Sequence, residues 1–182
     1  AAAVLATGCP SAQDPTPPSA DGNPPSTEDD SPTASEPQLL PNEELADGWI
    51  QLFDGQTLFG WQPASEANWR VEDVAIVADD GQPGLLVTTT QFGDYELHVE
   101  FRSAKGTNSG VFLHTLPEPT DPTADCYELN IVDDGDSEFP TGSLVERQKF
   151  GGGHDSEYWQ TFDISVEGGN IDVKLDGTDV LS

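Results

Sequence analysis

From Gly48 to Ser182 apolar and polar residues alternate with a period of two, and this alternation does more than any other feature to limit what the chain can fold into. In Asp94 to Arg102, Tyr95, Leu97, Val99 and Phe101 point to one side, and Glu96, His98, Glu100 and Arg102 to the other. In Cys126 to Val132, Tyr127, Leu129 and Ile131 alternate with Glu128 and Asn130. Similar runs are Trp69 to Val77, Leu85 to Thr89, Gly110 to Thr115, Phe162 to Val166 and Ile171 to Leu175. Between the last two, Glu167-Gly-Gly-Asn170 is a hairpin signal, because glycine supplies the positive φ values of a tight turn. No segment shows an amphipathic helical pattern of useful length. About seven short two-faced strands predict an all-β protein, an antiparallel β-sandwich or jelly roll.

The first 47 residues are of another kind. They hold nine of the fifteen prolines and nine acidic residues, with no Lys or Arg. Such a segment buries too little apolar surface to offset the entropy of ordering, so residues 10 to 47 are expected to form a disordered linker. Residues 1 to 9, AAAVLATGC, resemble the end of a bacterial lipoprotein signal: an apolar stretch, small residues at Thr7 and Gly8, then Cys9 as the lipidation site. Acylated Cys9 would anchor the protein in the cell envelope, on the periplasmic or outer surface, and the linker would hold the domain off the bilayer. Cys126 then has no disulfide partner and is expected to be a buried small hydrophobe; a Cys9–Cys126 bridge is the alternative.

Charge removes whole classes of function. With 34 acidic side chains against 6 basic ones, the net charge is −28, and the basic surface that phosphate contacts need is missing. No nucleic acid is expected as a partner. No apolar run reaches the length of a membrane span, so contact with a membrane is expected only through a lipid anchor. Abundant Asp and Glu with scarce Lys also suit a salt-rich habitat.

On the polar faces, three consecutive strands carry Glu100 and Arg102, then Phe112 and His114, then Glu128 and Asn130. If these strands are neighbours, Glu100 and Glu128 flank the middle one with backbones about 10 Å apart. A sugar ring fits between two such carboxylates, with His114 near its centre, at a separation within the range of an inverting glycosidase.

The ordered motifs Trp49-Ile-Gln-Leu-Phe-Asp-Gly-Gln-Thr-Leu-Phe-Gly-Trp61, Trp69-Arg-Val-Glu-Asp73, Gly93-Asp-Tyr-Glu-Leu97, Glu100-Phe-Arg102, Asn108-Ser-Gly-Val-Phe-Leu113, Tyr127-Glu128, Thr141-Gly142 and Trp159 carry a family resemblance. From about Gly48 to Ser182 the chain resembles the 3-keto-disaccharide hydrolase family. The resemblance implies a concanavalin-like jelly roll acting on oxidised sugars, often in secreted or lipid-anchored bacterial proteins. It also implies at least one strand beyond the Asp176-Gly177 turn, an ending that this chain is expected to lack, so that the domain is cut short at Ser182.

For such a substrate, a ketone at C3 acidifies the C2 proton. A base removes it, an enolate forms, the C1 substituent leaves, and water adds. This requires a base working near neutral pH and a positive group for the enolate oxygen. His114 is the first candidate base and Glu128 the second, with Glu100 as a further catalytic carboxylate. Arg102, Lys149 or a divalent cation, calcium or manganese, would hold the oxyanion. Asn108 and Asn130 would position hydroxyls, and Trp159 would stack on the ring. The acidic loop Asp133 to Glu138, with Asp133, Asp134 and Asp136, is the candidate metal site, and the three histidines lack zinc spacing. Two other functions are open. Glu128-Leu-Asn-Ile-Val-Asp133 resembles the acidic strand of laminarinase-type glycosidases, with Asn130 in place of its middle acid. The other is a carbohydrate-binding module without turnover, displayed at the cell surface.

Overall fold

A computed structural model describes residues 39–116, 119–121, 124–133, 136–152 and 158–182, together with the backbone of residues 3–6. Its architecture is the predicted one, an antiparallel sandwich of two sheets. The five-stranded sheet runs in the order β2 (Trp61–Pro63), β5 (Gly84–Thr88), β1 (Ala3–Ala6), β7 (Asn108–Leu113), β8 (Tyr127–Val132). The four-stranded sheet runs β11 (Thr178–Leu181), β10 (Asn170–Leu175), β9 (Gln160–Glu167), β6 (Tyr95–Phe101). A separate hairpin joins β3 (Arg70–Glu72) to β4 (Ala75–Val77).

The core fills the space between the sheets and is built by the alternation. Phe162, Ile164 and Val166 of β9 are buried there while Asp163 and Glu167 stay in water. From the facing sheet come Val111, Leu113, Leu129 and Ile131. Phe101 stacks on Phe162 with ring centroids 4.5 Å apart, a packed pair that adds dispersion to area burial. A smaller apolar cluster, Leu85, Val87, Phe112 and Cys126, lies outside this core. Cys126 is buried and forms no disulfide among the described residues, and burial raises its thiol pKa.

Two sequence expectations differ from the structure, and two elements form where the sequence pattern marks none. The run Trp69 to Val77 is two strands, not one, because Asp73 and Val74 both take left-handed φ values, 49° and 63°, and fold the run back on itself. Residues 42–46, within the expected linker, form a one-turn helix, α1 (Asn42–Ala46). Pro41 sets its entry, and Glu43 and Glu44 lie in the first turn, where the helix dipole favours them. Ala3–Ala6, placed by sequence in a signal segment, pairs antiparallel with both β5 and β7 and so lies in the middle of a sheet. The Gly168-Gly169 turn is as expected, whereas the strand that the chain was expected to lack beyond Asp176-Gly177 is present as β11, paired antiparallel with β10. Cys9 and residues 10–38 lie outside the described residues.

Candidate active site

The site occupies the outer face of β7 and β8. Odd-numbered Val111, Leu113, Leu129 and Ile131 face the intersheet core, so even-numbered Asn108, Gly110, Phe112, Glu128 and Asn130 face away from it. Register places Phe112 opposite Glu128 and Gly110 opposite Asn130. Gly110 is the seat of Glu128: a Cβ there would lie 3.1 Å from Glu128 Cγ and 3.0 Å from the Leu129 carbonyl oxygen. A side chain at this position would therefore require Glu128 or the Leu129 carbonyl to shift by a few tenths of an ångström. Half-buried next to the apolar cluster around Phe112, Glu128 has its carboxyl pKa raised by desolvation.

A loop over residues 136–148 forms the second wall and is fastened to β8 by hydrogen bonds. The Asn130 N–H donates to the Ser143 carbonyl at 2.9 Å, and the Gly142 N–H to the Asn130 carbonyl at 3.0 Å. Thr141 Oγ1 accepts from the Val132 N–H and donates to the Val132 carbonyl, both at 2.9 Å. Gly142 takes φ 88°, and a Cβ there would meet Phe150 at 3.2 Å, so Thr141-Gly142 is a structural pair that shapes the wall. Between wall and sheet is a cavity of about 310 Å³ lined by Asn108, Glu128, Asn130, Ser137, Glu138, Phe139, Val145 and Glu146. That volume lies at the lower end of small-molecule sites. Asn130 is buried, its amide nitrogen donates to the Phe139 carbonyl, and its Oδ1 has no protein partner. Lys149 is tied to the wall by an ion pair with Glu138 at 2.7 Å, its Nζ 5.1 Å from the Phe139 ring centroid.

Of the residues expected at the site, Asn108, Glu128 and Asn130 line this cavity and Lys149 borders it through Glu138. Glu100, Arg102, His114 and Trp159 do not line it. The expected neighbourhood of three consecutive strands fails because the chain changes sheets after β6. Glu100 pairs with Thr161 on the open face of the four-stranded sheet and does not flank β7. Arg102, just past β6, lies 5.2 Å from the ring of exposed Trp159. His114 follows the end of β7 at φ 48°, which breaks the alternation that assigned its face. Its ring stacks on Tyr95, 5.9 Å away and packed against the intersheet core, so His114 does not share a hollow with Glu128.

In the acidic loop, Asp134 lies outside the described residues. The Asp133 backbone is held by Gly106 and Thr107, and neither Asp133 nor Asp136 lines the cavity. Among the described residues, no three His, Cys, Asp or Glu side chains are grouped to hold a metal ion. Glu138, Phe139, Val145 and Glu146 were not foreseen as lining residues, since nothing in their local pattern says which strand their loop crosses.

Fold and cavity together define an all-β jelly-roll sandwich with a carboxylate-bearing pocket on the outer face of one sheet. Comparison with known proteins places this class more narrowly. Residues 48–182 match the model of the 3-keto-alpha-glucoside-1,2-lyase-like domain, and the chain belongs to that family. A 3-keto-disaccharide hydrolase of Bacteroides thetaiotaomicron is 37% identical over 79 aligned positions, covering 37% of this chain and 27% of the relative. The matched region is thus about a quarter of that relative's length. A crystal structure from Parabacteroides distasonis, described as a candidate glycosyl hydrolase, superposes with a TM-score of 0.66 at 21% identity, covering 79% of this chain and 75% of that one. The latter likeness is one of fold.

Proposed function

We propose that this chain cleaves 3-keto-glycosides, with Glu128 as the base. The observation that carries the reading is Glu128 itself: a desolvated carboxyl with a raised pKa, at the edge of a saccharide-sized cavity, in a chain of this family. Desolvation makes the carboxylate a stronger base and brings its pKa closer to neutral pH. It takes the C2 proton of the sugar. The C2–H electron pair forms the C2=C3 enolate, which reopens to the C3 ketone as C1=C2 forms and the C1–O bond breaks. The departing oxygen takes up a proton, which the Glu128 carboxylic acid can return. Water then adds across C1=C2, so the sum is hydrolysis. Asn108, on the cavity lining, orients a hydroxyl.

The experiment is incubation of purified protein with a 3-keto-glucoside. Release of the aglycone is expected, reduced about 10²- to 10⁴-fold in Glu128→Gln. Cleavage of an unoxidised glucan instead would point to a glycosidase. Binding without release would point to a carbohydrate-binding module, a reading favoured by the exposed Arg102, Tyr158 and Trp159 group.

The proposal extends to place. Cys9 would carry the lipid that holds the protein in the bacterial envelope, with no membrane contact otherwise. Labelled fatty acid should enter the protein in bacterial cells and fail to enter Cys9→Ser; equal labelling of both excludes Cys9 as the anchor.

A further inference from the structure

Glu146 lines the cavity yet is held at φ 60°, a left-handed conformation that side chains other than Gly, Asn and Asp seldom adopt. It belongs to the Val145-Glu-Arg147 turn, closed by the antiparallel bridge between Leu144 and Gln148. The turn would form with less strain if glycine stood at 146. Strain of this kind persists where the surroundings impose it and clusters at binding sites. Glu146 is also exposed, so its carboxylate is open to a ligand entering the cavity.

The charges around it are one-sided. Glu128, Glu138 and Glu146 all line the cavity, and no Lys or Arg does. Of the basic groups carried by this wall, Lys149 is paired with Glu138 and the Arg147 guanidinium lies over the Tyr127 ring, 4.4 Å from its centroid. An anionic ligand would thus meet carboxylates with no free cation among the lining groups, whereas neutral hydroxyls would meet hydrogen-bond acceptors on both walls.

We infer that Glu146 is a specificity-determining residue, restricting this cavity to uncharged sugars by accepting hydroxyl hydrogen bonds and repelling acidic ones such as uronates. The inference rests on the proposal that the cavity takes oxidised sugars. The turn keeps a strained glutamate because its charge stands where the ligand enters.

The test is equilibrium binding of a 3-keto-glucoside and of the matching 3-keto-glucuronide, measured by calorimetry in a Glu128→Gln background so that nothing turns over. The neutral sugar should bind better on the order of tenfold, the scale of one like-charge contact between water-like and protein-like dielectric. Adding Glu146→Lys should erase or reverse that preference, and Glu146→Gln should reduce it. Glu146→Gly should raise the melting temperature while reducing the preference, which separates the residue's part in recognition from any part in folding. Equal affinity for both sugars in the starting protein overturns the inference, and so does a preference unchanged by Glu146→Lys. If the glucoside is cleaved by the parent protein but the preference is absent, only this inference falls. If neither sugar binds or reacts, the proposed function falls with it.

Discussion

At the scale of single residues, the site depends on what surrounds one carboxyl. Glu128 lies over a glycine and beside an apolar cluster, and both conditions can be altered one atom at a time. Gly110→Ala adds a methyl 3.1 Å from Glu128 Cγ without a change of charge. Displacement of the base on this scale should lower aglycone release by about 10- to 100-fold while circular dichroism remains that of the parent. Full activity in that variant would remove Gly110 from the account. The raised pKa also has a thermodynamic consequence. Burial holds the Glu128 carboxyl above its ordinary 4.5, so the folded chain binds this proton more tightly than the unfolded chain does. Well below that ordinary value both states keep the proton, and the folded state has its full stability. As pH climbs from the ordinary value through the raised one, the folded state loses stability relative to the unfolded. Glu128→Gln has no such proton to lose. It should melt at a higher temperature than the parent at neutral pH, and the gap should close on acidification toward about pH 4. A gap that widens on acidification would contradict the burial described for Glu128.

At the scale of elements, alternation shows which side of its own strand a residue occupies, not which sheet the strand joins. That Asn108, Glu128 and Asn130 share one face was legible because β7 and β8 are in fact neighbours. Glu100 carries the same local signal, but β6 pairs with β9 in the other sheet. His114 was illegible for a different reason: a single left-handed residue after a strand reverses the facing that periodicity predicts. The Asp73-Val74 turn escaped notice because valine is an unfavourable residue at positive φ, so no turn signal marks it. By contrast Gly168-Gly169 announces its hairpin plainly. The least expected element is β1. Removing Ala3–Ala6, for instance in a chain beginning at Cys9, leaves β5 and β7 each with an unpaired edge in the middle of the sheet. That shorter chain should melt at a lower temperature and associate as concentration rises, as read by light scattering. An equally stable monomer would show that β1 contributes little.

At the scale of the whole molecule, 34 acidic groups against 6 basic ones repel one another more strongly in the compact state than in the unfolded. Raising the salt from low to molar concentration screens that repulsion and should raise the melting temperature. A melting curve indifferent to salt would mean that the acidic groups are too far apart to matter and would undercut the reading of a salt-rich habitat. The position of Ala3–Ala6 affects assembly as well. It precedes both strands that flank it, and one of them, Asn108–Leu113, comes more than a hundred residues later. During synthesis these four residues emerge before both of their neighbours and must wait for the second, so the five-stranded sheet is knitted shut late, across a long loop closure. Should processing at Cys9 take those residues away before that moment, the sheet would have to close without them.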